Sequence, residues 1–324
     1  MYRNFMAAMT AVAALVMPMA HAQTETAYPN KPIKLIIPYP AGGSGDTTAR
    51  FLANALNQKW GVPLVVENRP GGSAIIGTQA VANAASDGYT VLFTTTLHIQ
   101  NSAVGRTLPY DPLKDFVPIT QVLCAPAALV IGSDNPAKTV NAFVNANKAG
   151  ARATSFGSAG NATTSHLYGE LFNRLAGLKA VHVPYKGGAP MMTDLLGGQL
   201  DYALIDAGSV MPMAKAGRVK VLAVASSTRY ELMPETPTLK ELGYEGFESC
   251  GWMGVLMRAG TPQPIVAKWA KELTEITQSA GYRSMVQGLG MEPTSISQDD
   301  FGQLMRRDIA NWKRIADLAG IKVE

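Results

Sequence analysis

Two glycine-rich stretches carry the residue types best suited to bind a small anion. The first, Pro40-Ala-Gly-Gly-Ser-Gly-Asp46, follows an apolar run, and the second, Gly157-Ser-Ala-Gly-Asn-Ala-Thr-Thr-Ser165, follows Thr154-Ser-Phe156. Each precedes apolar residues at helical spacing, and Ser44 or Asp46 could cap the first helix. A helix N-terminus offers unpaired N–H donors and about half a positive charge. We therefore expect an anionic group at these turns, with a ligand-free structural turn as the alternative.

Neither stretch matches a nucleotide or hydrolase motif. No Lys follows Gly45, as a phosphate loop requires, and no third glycine follows Gly43-Ser-Gly45, as the dinucleotide fingerprint requires. Gly157-Ser-Ala-Gly160 is not the Gly-x-Ser-x-Gly of a nucleophile elbow. These comparisons favour a binding protein. The alternative is a secreted enzyme that acts on an organic acid with Asp46 or His98 as its base.

The histidines do not form a recognisable metal pattern. His98, His166 and His182 lack the short ligand spacings and acidic companions of a metal site, so we expect neither a metal nor a cofactor. His98 follows Thr95 and Thr96 at the end of a predicted strand, where these side chains could contact a bound polar group. A hydrogen-bonded structural histidine is the alternative for His98.

The N-terminus has the pattern of a secretory signal. Arg3 precedes an apolar stretch from Phe5 to Met17, and Ala20-His-Ala22 supplies the small residues of a cleavage site. We expect residues 1–22 to be removed by cleavage after Ala22. The net charge of +4 then becomes +3, and without a cluster of Lys and Arg we expect no binding to nucleic acid.

Alternating apolar strands and amphipathic helices predict an α/β fold. Ile33 to Ile37, Pro63 to Glu67 and Tyr89 to Thr94 are predicted strands with helices between them, which implies a parallel sheet. The loops after these strands then lie on one rim, where such sheets bind ligands. A mature length of about 300 residues favours two domains.

A second domain is predicted to follow the strand Val117 to Leu123. Its strand Tyr202 to Ile205 delivers Asp206 and Ser209 to the sheet end. Asp206 could position loop amides or ligand waters, and a structural turn cap is the alternative. The late helices, which carry apolar stripes around Trp269 and Trp312, are expected to pack in the core and to complete the first domain.

A series of motifs runs in order through essentially the whole mature chain: Tyr28-Pro-Asn-Lys-Pro-Ile33, Pro38-x-x-x-Gly-Gly-x-x-Asp46-x-x-Ala-Arg50, Glu67-Asn-Arg-Pro-Gly71, Asp87-Gly-Tyr89, Pro184-Tyr-Lys-Gly187 and Asp194-Leu-Leu-Gly-Gly-Gln-Leu-Asp201. With these motifs the chain resembles the Bug family, the periplasmic solute-binding receptors of tripartite tricarboxylate transporters.

This resemblance implies a fold and a function. The fold would be two doubly wound α/β domains, similar to type II periplasmic binding proteins, joined by two crossing strands around a ligand cleft. The expected first domain comprises 23–123 and 251–324, and the second comprises 124–250. The expected function is periplasmic capture of a small organic or aromatic acid by a monomer that delivers it to integral membrane permease subunits. A sensor module that presents the loaded receptor to a membrane kinase is a further alternative.

The resemblance also implies a ligand-binding set in which backbone amides, hydroxyls and bridging waters contact the acid. Carried over residue by residue, this set is Tyr39, Ala41, Gly43, Asp46, Ser158, Thr163 and Asp206. We expect Thr95, Thr96, His98 and Ser209 to contact the remainder of the ligand. Ala162 departs from the family pattern, in which glycine is frequent at this position, and this places the amide contacts of the second loop in question.

The two cysteines fall at the expected crossings between the domains. Cys124 lies on the outward crossing and Cys250 on the return crossing, and exported proteins mature where disulfides persist. Adjacent crossing strands would allow the Cα separation of about 5.5 Å that a disulfide needs. We expect a Cys124–Cys250 disulfide, with two buried free thiols as the alternative.

Overall fold

The computed structural model describes residues 28–150, 153–247 and 249–321, so the expected signal at 1–22 lies outside the described residues. Two mixed β-sheets with helices packed against them form its framework. The strands are β1 (Ile33–Ile37), β2 (Leu64–Asn68), β3 (Thr90–Thr95), β4 (Phe116–Ala125), β5 (Ala127–Gly132), β6 (Ser155–Ser158), β7 (Val181–Pro184), β8 (Tyr202–Asp206), β9 (Val219–Ala225), β10 (Gly251–Arg258) and β11 (Glu292–Pro293). The helices are α1 (Ser44–Trp60), α2 (Ile75–Ala82), α3 (Leu97–Ala103), α4 (Val140–Ala149), α5 (Thr164–Ala176), α6 (Gly188–Leu196), α7 (Ala207–Lys215), α8 (Gln263–Gln278), α9 (Ala280–Gly288) and α10 (Gln298–Ala319). Among these helices, none combines the length and the apolar character needed to span a bilayer.

The first sheet has the strand order β11-β4-β10-β3-β1-β2. Strands β2, β1 and β3 are parallel, as the alternation of strands and helices predicts, whereas β10 is antiparallel to both β3 and β4. The parallel arrangement predicted for the first three strands is therefore confirmed, and the sheet is mixed because β4 and β10 carry the chain out of it and back. Strand β1 is buried on both faces of the sheet, since its neighbouring residues Leu35 and Ile36 are both buried, in separate apolar clusters.

The second sheet has the order β7-β6-β8-β5-β9 and the same mixed character. Strands β7, β6 and β8 are parallel, and β5 is antiparallel to its neighbours β8 and β9. In each sheet, the carboxyl ends of three parallel strands therefore lead into loops on the same side of the sheet. These loops, which we call the rim loops, contain the two glycine-rich turns.

The chain leaves the first sheet along β4 and enters the second through Pro126. It returns along β10, which pairs with β4 so that Gly251 lies opposite Ala125. At this crossing a disulfide joins Cys124 to Cys250, with Cα atoms 5.9 Å apart. The expected disulfide is thus present in the structure, because the two crossings lie side by side.

Helix α10 packs against a strand of the first sheet and against α5, a helix that follows a strand of the second sheet. Its Trp312 ring lies 5.0 Å from the Tyr168 ring of α5, while Phe301 near its start lies 5.1 Å from the Trp252 ring of β10. Trp269 and Trp312 are both fully buried, which confirms the core role predicted for the late helices. Helix α10 also contributes to an apolar cluster that contains residues of both sheets.

Candidate functional site: two helix starts at one cleft

The first glycine-rich turn ends at an uncapped helix start. Helix α1 begins at Ser44, and Gly43 takes the N-cap position without a side-chain hydrogen bond. The expected cap by Ser44 or Asp46 was therefore wrong. The first N–H groups of α1 have no carbonyl acceptor within the helix, so they can donate hydrogen bonds to a ligand. Ala41 and Gly43 are exposed at this turn, and Gly42 has a φ of 89°, which favours glycine.

Asp46 shapes this turn from inside the protein. Its carboxylate accepts hydrogen bonds from Gly42 N at 3.0 Å, Arg50 Nε at 2.9 Å and Asn68 Nδ2 at 3.0 Å. The hydrogen bond from Arg50 is the main reason that the pKa of Asp46 lies below its usual value. A carboxylate with three donors, only 6 % exposed, holds the loop and is poorly placed to be a base. The ligand contact expected of Asp46 stays a prediction, while its side chain is engaged in holding the loop.

Tyr39 links the first turn to the end of β3. Its hydroxyl lies 2.8 Å from Thr95 Oγ1 and 3.1 Å from Thr94 Oγ1, and it accepts a hydrogen bond from Thr95 N at 3.2 Å. Asn68 also donates to the Tyr39 carbonyl at 3.1 Å. Tyr39 and Thr95 are partly exposed, so the structure keeps them at the rim where the sequence predicts them. They form one hydrogen-bonded unit with the α1 start.

Thr96 and His98 lie in the interior and do not reach the rim. Thr96 Oγ1 accepts from Trp252 N at 2.8 Å, and His98 Nε2 donates to the Pro112 carbonyl at 3.0 Å. His98 is fully buried, and burial lowers its pKa to about 4. The structural alternative for His98 is therefore the one that the structure supports. Both side chains already bond to protein partners, and the ligand contacts expected of Thr96 and His98 stay predictions.

The second glycine-rich turn ends at a second uncapped helix start. Thr163 is the N-cap residue of α5, and its side chain makes no capping bond to the helix. Instead, Thr163 Oγ1 donates to the Gly160 carbonyl at 2.6 Å and lies 2.9 Å from Ser165 Oγ, which accepts from Ala159 N at 2.9 Å. This chain of hydroxyls shapes the turn. Thr163 remains partly exposed beside the first amides of α5.

Two histidines support the second turn from behind. His166 Nδ1 accepts a hydrogen bond from Ala162 N at 3.1 Å, and His182 Nε2 lies 2.6 Å from Ser158 Oγ. The two imidazole rings stack with their centroids 3.9 Å apart. Burial lowers the pKa of each to about 4, and for His182 the charge of His166 adds to the effect. Ser158 is fully buried and its hydroxyl is engaged by His182, and the direct ligand contact expected of it stays a prediction.

Asp206 lies at the junction between β8 and α7. Asp206 is the N-cap residue of α7, where it accepts from Ser209 N at 2.8 Å and from Ser209 Oγ at 2.6 and 2.8 Å. Burial raises the pKa of Asp206. The capping role, one of the two alternatives from the sequence, is present in the structure. Ser209 is exposed at the same rim.

Hydrogen bonds connect the loops of the two sheets. Gln100 Nε2, in α3, donates to Thr164 Oγ1 at the start of α5 at 2.8 Å. Asn101 Nδ2, also in α3, donates to the Ser73 carbonyl at 2.8 Å in the loop before α2. Since α3 follows β3 directly, these bonds and the Tyr39–Thr95 contact connect the first turn and the end of β3 to the start of α5. Sequence reasoning missed Asn68, Gln100 and the support from His166, because each acts on a residue distant from it or on the backbone.

Backbone strain is concentrated in these loops. Within residues 28–150, 153–247 and 249–321, the non-glycine residues with positive φ are Ser73 at 54°, Ala74 at 75° and Ala162 at 65°. A left-handed conformation costs an L-residue roughly 1–2 kcal/mol. Such strain is frequent at ligand-binding sites, where the surrounding structure maintains it. All three strained residues lie in rim loops.

The nearest approach to a metal site in the described chain is formed by His166, Glu170 and His182. Their ligand atoms lie within 4.8 Å of one another, so the acidic companion that the sequence spacing did not reveal is Glu170, one turn along α5. However, the imidazole rings are stacked at 12° to each other with centroids 3.9 Å apart. An ion cannot lie in the planes of two rings stacked in this way, as coordination by both ring nitrogens requires. We therefore assign no metal to this cluster.

Comparison with known proteins identifies the family. The family model "Tripartite tricarboxylate transporter family receptor" matches residues 48–321. The chain belongs to this receptor family. Its fold is the two-domain fold of periplasmic binding proteins, and its family members are solute-binding proteins.

Solved structures of relatives superpose closely on the chain. The structure titled "R. palustris Rpa4515 with adipate" has a TM-score of 0.83 and 31% identity, covering 91% of this chain and 99% of that one. The periplasmic binding protein BugD has a TM-score of 0.82 and 31% identity, covering 92% and 100%. MatC from Rhodopseudomonas palustris with bound malate has a TM-score of 0.80 and 28% identity, covering 89% and 99%. The resemblance to the Bug family that the motifs indicate is confirmed.

Proposed function

We propose that this receptor captures a small carboxylate in the cleft between its two sheets. The single observation that carries the proposal is that two uncapped helix starts, those of α1 and α5, belong to loops linked by Tyr39, Thr95 and the Gln100–Thr164 hydrogen bond. Two sets of free amides are suited to the oxygens of an organic acid. The relatives with adipate and with malate support a dicarboxylate as the first ligand to test.

The proposed contacts are divided between direct and supporting residues. The exposed backbone of Ala41 and Gly43 and the amides of the α1 start would bind one carboxylate. Thr163 and the α5 start, with Ser209 at the far side, would contact the remainder of the acid. Tyr39 and Thr95 would contribute hydroxyls. Asp46, Ser158 and Asp206 would hold the loops in shape through the hydrogen bonds described above.

The delivery step follows from the family. We propose that the loaded receptor, as a monomer, docks on the integral membrane subunits of a tripartite tricarboxylate transporter in the periplasm. The signal peptide would direct export and would be removed by cleavage after Ala22. The proposed domains are 23–123 with 251–324, and 124–250. Strand β10 falls in the first and β5 in the second, while β4 extends two residues past the first boundary.

The proposal is tested on the protein as it is purified. Native mass spectrometry would detect a co-purified acid, and a thermal-shift screen would then compare mono-, di- and tricarboxylates, including adipate, malate and aromatic acids. A ligand at a hundredfold excess over its dissociation constant adds about 2.7 kcal/mol to the free energy of unfolding. If no carboxylate raises the melting temperature while a neutral or cationic solute does, the anion-binding proposal fails.

The same samples test the enzyme alternative. Asp46 already accepts three hydrogen bonds, and His98 is buried with its Nε2 donating to a carbonyl, so neither is available as a base at the rim. We expect prolonged incubation with the bound acid, followed by product analysis, to return the acid unchanged. A stoichiometric or catalytic conversion would support the secreted enzyme instead.

A further inference from the structure

The second rim loop depends on an unusual contact between a strained residue and a histidine. Ala162 has a φ of 65° and is fully buried, and its N–H donates to His166 Nδ1 at 3.1 Å. It directly precedes Thr163, the N-cap residue of α5. The orientation of the α5 amides toward the cleft therefore follows from how Ala162 is held.

This contact fixes the protonation of the His166 ring. A backbone N–H can only donate, so Nδ1 must be the unprotonated nitrogen that accepts from Ala162, and the neutral ring carries its proton on Nε2. A proton on Nδ1 would place two donors against each other. The Ala162 contact therefore exists only while the ring is neutral in this one tautomer.

We propose that His166 is a positioning residue for ligand capture: its neutral ring holds Ala162 in the left-handed conformation that turns the α5 amides toward the ligand, and protonation of the ring releases that loop. This inference rests on the proposed function for the role of the loop, while the state of the ring and loop is independent of any ligand.

The surroundings of the ring favour its neutral form. His182 of β7 stacks on it, and the neighbouring Glu170, one turn further along α5, has a pKa raised by burial, which reduces the negative charge near the ring. Burial lowers the pKa of His166 to about 4. The ring should thus stay neutral near pH 7 and become protonated in mild acid.

The test compares the wild-type protein with His166→Asn and His166→Leu. The Asn Oδ1 atom can take the acceptor position of Nδ1 and does not titrate, whereas Leu removes the acceptor. Ring ¹⁵N spectra of the ligand-free protein report the tautomer of His166, and amide hydrogen exchange reports the protection of Ala162. The amide of Ile315, in α10, is the reference for global unfolding.

We expect an unprotonated Nδ1 in the wild type from pH 7.5 to pH 5. Ala162 protection should fall several-fold between pH 6 and pH 3.5 relative to Ile315, remain constant in His166→Asn and be low at every pH in His166→Leu. A protonated Nδ1 at pH 7, or wild-type protection of Ala162 in His166→Leu, would overturn the proposal. Stoichiometric binding of Zn²⁺ that shifts the His166 and His182 signals together would also overturn it.

Should the Leu variant fail to fold, the wild-type spectra and the Asn variant still decide the outcome. Adipate titrations at pH 7.5 and pH 3.5 provide the binding readout. Because a pKa of about 4 leaves roughly a quarter of the His166 rings neutral at pH 3.5, affinity should fall about fourfold more in the wild type than in His166→Asn. If adipate binds neither protein, the ring and amide results stand on their own, and only the proposed ligand class is contradicted.

Discussion

Gln100 Nε2 donates a hydrogen bond of 2.8 Å to Thr164 Oγ1, and this bond joins the two sides of the cleft. Gln100 belongs to α3 and is buried, while Thr164 is the first residue of α5. The bond therefore connects the sheet that bears the first glycine-rich turn to the helix that follows the second. A ligand that contacts both turns would hold the two domains together. The Gln100–Thr164 hydrogen bond would stabilise the same closed arrangement.

Domain closure is the first prediction. We expect the radius of gyration in small-angle scattering to decrease when the carboxylate identified by the screen is added to saturation. Gln100→Ala should weaken binding roughly two- to tenfold, because a neutral hydrogen bond contributes about 0.5–1.5 kcal/mol. A double-mutant cycle with Thr164→Val isolates this contact. An unchanged radius of gyration, or additive effects in the cycle, would count against closure through this bond.

Close backbone approach at the first turn gives the second prediction. A Cβ atom added at Gly43 would meet no atom within 4 Å, and the φ of −81° is ordinary for any residue. Gly43→Val should therefore fold normally and yet lose at least roughly a hundredfold in affinity, about 3 kcal/mol, because the side chain occupies the space of the ligand.

The matched control for this variant is Lys186→Met, which removes an exposed positive charge from the loop after β7. Calorimetry with the same ligand should show a far smaller loss for Lys186→Met than for Gly43→Val. The reverse order would mean that side-chain charge, and not the helix-start amides, provides most of the affinity.

Local patterns in the sequence predict the elements that surround this site. The apolar stripe of α1 ends at Gly61, whose φ of 68° gives the predicted left-handed stop. The parallel strands β1, β2 and β3 follow from alternation with helices. The antiparallel orientation of β10 cannot be predicted in this way. The chain before β10 belongs to the other sheet, so the direction of β10 depends on how the chain returns to the first sheet.

The site was less predictable than the fold for a related reason. Exposed backbone positions such as Gly43 can be read from the composition of a turn. The supporting contacts cannot, since Asn68 binds Asp46 across 22 residues and Gln100 binds Thr164 across 64. Thr96 and His98 were assigned to the rim because they follow a strand, yet α3 turns them toward Trp252 and Pro112.

The disulfide gives the third prediction. Cys124 and Cys250 close a loop with a sequence separation of 126 at the crossing of the two domains. Reduction should lower the free energy of unfolding by about 2–5 kcal/mol in the range found for native disulfides. Thermal unfolding with and without reductant measures this loss.

Intact-mass analysis after alkylation in denaturant provides the direct check. Without reductant, neither cysteine should be alkylated, and with reductant both should be. Two alkylated thiols in the unreduced exported protein would show that the bridge is absent in solution. Cys124→Ala combined with Cys250→Ala is the control, since it should be insensitive to reductant.

The last prediction concerns the buried carboxyl of Asp308 in α10. It accepts hydrogen bonds from Trp252 Nε1 at 3.0 Å and from Ser249 Oγ at 3.2 Å, where the return crossing meets α10. Burial raises its pKa from 3.8 to about 6, while these two hydrogen bonds lower it to a smaller extent. Between these values the folded state binds more protons than the unfolded state, so this group destabilises the fold as pH rises from about 4 to about 6.

Asp308→Asn removes this titration and retains an acceptor for Trp252. The stability of the wild type relative to the variant should therefore fall by roughly 1–3 kcal/mol between pH 4 and pH 7. The difference between the two proteins is the required measurement, because His98, His166 and His182, with pKa values lowered to about 4, make both proteins more stable as pH rises. Urea unfolding at several pH values gives this difference, and a difference independent of pH would contradict a buried, titrating Asp308.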